Sequence, residues 1–182
     1  MTRPATTAGE VLAFWREAGP ARWFRKDDGF DDSCRGTLAQ AHDAATRGEL
    51  AGWADTPEGA LALLILLDQF PRNAFRDTER MYATDALARE VARRAVQAGL
   101  DVQAEPELRR FFYLPFMHSE LLADQDESVA LNTREEGEAL RYALHHRDII
   151  RKFGRFPHRN AVLGRASTPE EQQFLGAGGF TG

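Results

Sequence analysis

Three histidines and a dense run of arginines are the residues of this 182-residue chain best suited to chemistry at neutral pH. His118, His146 and His158 are candidate proton carriers, because an imidazole titrates near neutrality and can act as acid or base. Residues 145 to 165 hold Arg147, Arg151, Lys152, Arg155, Arg159 and Arg165 against a single acid, Asp148, together with three of the five histidines. Arginine suits anion recognition because its planar fork bonds a carboxylate or phosphate bidentately and stays charged when desolvated. These types in this pattern point to His118, His146 and Asp148 as catalytic candidates. Asp68, Arg72, Asn73, Glu120, Arg155, His158, Arg159 and Asn160 are the binding candidates. The arginines would hold an anionic group, and a histidine paired with a carboxylate would move a proton. The same residues also fit a buried ion-pair network that locks the C-terminal segment onto the central helix. Sequence leaves both readings open, and with them the question of whether there is a reaction.

Other chemistries lack their parts. No His-Glu-x-x-His pair occurs, and Cys34, the one cysteine, cannot build a zinc site alone. No glycine loop for nucleotide phosphates and no serine in a nucleophile elbow is present. His146-Arg147-Asp148 spells a kinase catalytic-loop triplet without the rest of a kinase. No metal or other cofactor is therefore expected. A net charge of −5 disfavours nucleic acid as a partner. The lone cysteine, the absence of an apolar leader after Met1 and the lack of a span of about 20 apolar residues fit a cytoplasmic protein with no membrane partner.

The element that must position the candidates is the run from Ala60 to Leu67, eight consecutive apolar residues with no wet face at helical period. Thr56-Pro57 supplies an N-cap and a first-turn proline, and Pro71 stops the helix, giving a central helix over about 57–70. Asp68 stands in its last turn, where the helix dipole disfavours a carboxylate unless a cation answers it. The arginine-rich C-terminal stretch is expected to supply that cation.

Around this helix, Thr7 to Glu10 forms a capping box for a helix ending at Gly19-Pro20. A packed loop holds Trp23, Phe24 and Phe30, and a second helix capped by Asp31 or Asp32 runs to Gly48. A long helix from Asp77-Thr78 to Gly99 turns Asp85 inward, beside Met81, Ala88 and Ala92. Pro106 opens a helix that Pro115 kinks or breaks before His118. Residues 101–138, with ten acids, read as a solvated surface. Thr133 to Glu136 caps a helix ending at Gly154, and Thr168 to Glu171 caps a short last helix. The expectation is one all-helical domain over 1–176 with seven to eight helices in antiparallel hairpins, and a loose tail over 177–182.

Three blocks carry a family resemblance: Leu66-Leu67-Asp68-Gln69-Phe70-Pro71-Arg72-Asn73, Tyr113-Leu114-Pro115-Phe116-Met117-His118-Ser119-Glu120, and His146-Arg147-Asp148-Ile149-Ile150 with Gly154 to Asn160. From Phe14-Trp15 to Phe174-Leu175 the chain resembles the bacterial family called domain of unknown function 924. Cys34 and Leu38 stand where that family usually has larger side chains, and 124–138 is more acidic. The resemblance implies an all-α fold of the tetratricopeptide-repeat-like, right-handed superhelical kind, and no established activity. A superhelix of that kind would allow a second function, a groove that grips a protein partner, with the polar blocks purely structural.

Overall fold

A computed structural model describes residues 6–134 and 137–181. Among them every regular element is helical, as expected, and the residues divide into two compact units. One comprises the described residues up to Arg76 together with Arg80–Pro115. The other comprises Asp77–Glu79 and the described residues from Phe116 onward. The chain reads as one domain by sequence because no Gly/Pro-rich linker marks the change, which falls inside a helix. Among the described residues no helix is long and apolar enough to cross a membrane.

In the first unit, α1 (Ala8–Ala18) opens on the expected capping box. Thr7 Oγ1 accepts from the Glu10 backbone amide, and the Glu10 carboxylate accepts from the Thr7 amide at 2.7 Å. The expected loop contains a short helix, α2 (Pro20–Trp23), whose Trp23 ring stacks on Trp15 and donates from Nε1 to the Trp15 carbonyl at 2.7 Å. Helix α3 (Asp28–Thr46) starts earlier than expected, because Asp27 is the cap and accepts from the Phe30 amide. Asp31 is thereby released from capping and turns into the core.

The central run differs most from expectation. It does not stop at Pro71: α4 (Pro57–Leu64) passes into a π-helical turn, Ile65–Gln69, and then α5 (Phe70–Ala74). A proline inside a helix removes one amide and crowds the carbonyl four residues back. The wider π turn relieves that crowding. The Phe70 amide reaches back to the Ile65 carbonyl, five residues away. Two carbonyls loosened by this shift are answered by side chains: His42 Nδ1–H donates to Leu66 O at 2.9 Å, and Thr84 Oγ1 donates to Leu67 O at 2.6 Å.

At its other end the run is set tightly on the 3-10 turn Ala51–Asp55. A Cβ on Gly59 would stand 2.1 Å from the Trp53 carbonyl oxygen and 2.8 Å from Thr56 Oγ1, the N-cap hydroxyl. Alanine normally favours a helix over glycine by about 1 kcal/mol. Here Gly59→Ala is expected to lower stability by about 2 kcal/mol through overpacking and a disturbed cap, measured as a reduced urea midpoint. Wild-type stability in this variant would mean that the 51–56 turn yields freely.

A 3-10 turn, Glu79–Tyr82, precedes α6 (Asp85–Gln97), which begins later than expected: Asp77 has φ +61°, outside the helical range, and Thr84 at the N-cap gives its hydroxyl to the Leu67 carbonyl. Asp85 faces inward as its position on the Ala88–Ala92–Ala95 stripe requires, and is buried. Helix α7 (Pro106–Met117) runs through Pro115 and ends just past it.

In the second unit α8 (Leu122–Asn132) packs against α9 (Gly137–Phe153), and α10 (Pro169–Gly176) closes the chain. The Thr133 to Glu136 cap lies partly outside the described residues. The solvated reading of 101–138 fails at Asp101, which accepts from the Tyr113 hydroxyl, and at Asp124, which accepts from Ser119 Oγ; both are buried. A phenolic or hydroxyl donor makes burial of such a carboxylate tolerable. The expected tail is packed in part: Phe180 joins Phe153 and Phe174 against a core of Ile149, Ile150 and Phe156.

Candidate functional site

The candidate residues fall into two clusters, one in each unit. Asp68, Arg72 and Asn73 belong to the first, where the π turn sets their side chains. Asp68 is almost fully buried, and the cation that meets it stands one turn on: Arg72 Nη1 lies 3.2 Å from Asp68 Oδ1. The same guanidinium forms a two-pronged pair with Asp85, at 2.8 and 3.1 Å. Burial alone would push the Arg72 pKa down. Asp68 and then Asp85 outweigh it, so the group is held charged more firmly than an ordinary arginine. Asn73 donates to Asp31 at 2.9 Å, and Asp31 also receives Arg76 Nε at 2.5 Å. Sequence reasoning missed Asp31 by making it a cap, although it shares the inward stripe of Cys34 and Leu38. Burial, followed by the charge of Asp31, pushes the Cys34 thiol up to about 12, so it is unreactive.

The second unit holds the other eight candidates. His118 lies beyond the end of α7, in a turn and not in the expected helix. Gln125 Nε2 draws in the carbonyls of Met117 and Ser119 at 2.7 and 2.6 Å, which fixes that turn. The His118 carbonyl then accepts from Arg159 Nη2 at 2.9 Å. Glu120 holds the chain after α9 by accepting from the Phe156 amide at 2.8 Å and from both prongs of Arg165. Burial raises its pKa, but Arg165 and the Phe156 amide win, leaving it lowered. Arg155 is likewise engaged, bidentate on Glu171 at 2.7 and 2.9 Å, and Asn160 donates to the same carboxylate. Glu120, Arg155 and Asn160 therefore act as struts around the turns that follow α9.

His146, His158 and Arg159 remain, gathered about Phe156. The Arg159 guanidinium lies 4.5 Å over the Phe156 ring, and the rings of His146 and His158 each stand 5.6 Å from it. His146 Nδ1–H donates to the Tyr142 carbonyl at 2.8 Å, which leaves Nε2 as its basic nitrogen. Burial above all, with help from His118, His145 and Arg159, lowers the His146 pKa to about 4. Burial, then Arg159 and His146, lowers that of His158 to about 3. His158 Nδ1 is buried with no hydrogen-bond partner among the described residues. Asp148 sits on the exposed face of α9, about 200° around the helix from the buried His146, and so stands apart from the other catalytic candidates.

Among the described residues there is no group of three or more His, Cys, Asp or Glu placed to hold a metal ion. An open groove of about 320 Å³ in the first unit, lined by Phe14, Glu17, Arg22, Asp27, Phe30 and Ser33, shares no residue with the candidate set.

An all-α chain with a π-bulged central helix and a basic stretch, running from the second half of α9 into the turns after it and holding three histidines, is the class that fold and clusters define. The family described as bacterial proteins of unknown function, domain of unknown function 924, matches residues 11–179. The chain belongs to that family. It is similar to a solved structure of a protein of unknown function from Agrobacterium tumefaciens, with 50% identity and a TM-score of 0.91 over 92% of this chain and 96% of that one. Among curated proteins there is no match.

Proposed function

We propose that the second unit binds a small anionic molecule at Arg159, between His118, His146 and His158, and that His146 Nε2 is the proton acceptor if the bound molecule reacts. The observation that carries this reading is the buried Nδ1 of His158, which lacks a hydrogen-bond partner among the described residues beside a second neutral imidazole and a guanidinium. Buried polar atoms are normally satisfied, and one that is not points to a group the site receives. Burial first, and with it the positive charge of Arg159, favours the neutral form of both imidazoles. An arriving carboxylate or phosphate offsets that charge and raises both imidazoles, so filling the site takes up a proton as the pH falls.

Isothermal titration with acetate and inorganic phosphate in buffers of different ionisation enthalpy is the test. Binding with proton uptake is expected, together with at least a tenfold loss of affinity in Arg159→Gln and a smaller loss in Arg159→Lys, folding being checked by circular dichroism. Folded protein that binds neither anion between pH 5 and 7 would overturn the reading.

A further inference from the structure

The wall of the second-unit cluster is completed by a ring from the segment that follows α10. Phe180 stands 4.6 Å from His146, 5.1 Å from His158 and 5.8 Å from His145, ring centre to ring centre, each nearly edge-on, with Phe156 behind at 6.5 Å. These are the separations and angles at which aromatic pairs attract. The four rings thus line a slot in which the half-buried Phe180 ring is seated. What delivers Phe180 to it is a short glycine tether, Gly176-Ala177-Gly178-Gly179. Gly178 adopts φ +80°, and a Cβ on Gly179 would lie 2.6 Å from the Phe174 carbonyl oxygen. The tether's backbone hydrogen bonds, such as Gly179 N–H to Phe174 O at 2.9 Å, all fall before Phe180. Among the described residues Phe180 itself is held by apolar packing, against these rings and the Ile149–Ile150–Phe156 cluster, and such contacts can be exchanged for those of another ring.

Next to the slot is a cation. Arg159 lies over Phe156, which forms the slot's back, so a ring seated in place of Phe180 would carry any attached anion toward the guanidinium. Resting on the anion-site reading above, we propose that the ligand is a monocyclic aromatic carboxylic acid whose ring takes the place of the Phe180 ring and whose carboxylate meets Arg159. Phe180 is then a built-in competitor that closes the empty site. The chemistry that selects this class is joint: edge-on imidazoles for a planar apolar ring, and a guanidinium for the acid.

The test uses the full chain and three probes, acetate, phenylacetate and benzyl alcohol, titrated into wild type, Phe180→Ala and Phe180→Leu. Phenylacetate is expected to bind Phe180→Ala at least tenfold more tightly than wild type, with a smaller gain in Phe180→Leu, while acetate changes by less than twofold. Its arrival should move the His146 and His158 ring resonances in NMR spectra. If acetate binds but phenylacetate gains nothing from Phe180→Ala, the aromatic assignment is overturned and the anion site stands. If benzyl alcohol gains from Phe180→Ala while neither acid binds, the slot takes a ring without charge, and both the acid assignment and the anion site are overturned.

Discussion

Arg72→Ala should destabilise the protein by about 3–5 kcal/mol, the cost of leaving buried charges without their partner, and lower Tm by roughly 10 °C for a chain of this size. Two carboxylates depend on this one side chain. Asp68 is almost wholly buried and Asp85 largely so, and both face the Arg72 guanidinium within 3.2 Å. Removing it asks each acid either to stay charged in the core or to take up a proton. The loss should therefore shrink as pH falls, because protonation neutralises the stranded acids. Combining Arg72→Met with Asp68→Asn and Asp85→Asn should recover more than half of the lost stability, since neutral groups of similar size need no cation. Equal stability of Arg72→Ala and wild type at pH 7, by urea unfolding, would show that the triad contributes nothing.

That triad was partly legible in the sequence. An all-apolar helix ending in an aspartate demands a cation, and the period of Asp85 with Ala88 and Ala92 points it inward. What the sequence does not display is the nearness of the cation. Pro71 reads as a stop, which puts Arg72 outside the helix. The π turn carries the helix past the proline and makes Asp68 and Arg72 neighbours one turn apart. A π turn has no composition signal of its own. It depends on distant donors, here His42 from α3 and Thr84 before α6, to satisfy the carbonyls it loosens.

In the second unit, the histidines and arginines were visible as a charge-dense segment, but their division of labour was not. Glu120 and Glu171 select Arg165 and Arg155 through contacts 45 and 16 residues apart along the chain, a separation no periodicity encodes. Asp148 reads as a catalytic candidate because it is the single acid of the basic stretch, but two residues from His146 it stands on the opposite face of the helix. By sequence Phe180 belongs with its glycine neighbours to a loose tail, because a glycine-rich stretch favours no fixed conformation. The same glycines permit the turn that returns the ring to the histidines.

Those histidines should make the second unit acid-labile well above the carboxylate range. His146 and His158 have folded-state pKa values lowered to about 4 and about 3, against an ordinary 6.5 in the unfolded chain. The unfolded chain therefore binds protons first. The stability these neutral imidazoles confer is complete above pH 6.5 and is lost as pH falls from 6.5 toward 3. His118, His145 and Arg159 face them with positive charge when protonated, and Glu120 offsets only part of it. At about 1.4 kcal/mol per pKa unit the two lowered values together set the full loss on the order of 8 kcal/mol. Glu171 adds a second, lower window. Arg155 first, against burial, and then the Thr168 amide hold its carboxyl at about 2. Its contribution is present above about 4.5 and disappears as pH falls toward 2. Amide exchange measured along α9 at pH 7, 5.5 and 4.5 should show protection falling steadily. His158→Leu should flatten the part of the slope between 6.5 and 4.5, and Glu171→Gln only the part below it. Protection in α9 that stays constant from pH 6.5 to 4.5 would mean that the imidazoles are already charged or already open to water. Saturating acetate should move the loss to lower pH, because an anion beside Arg159 lets the folded site accept the protons that otherwise drive it open.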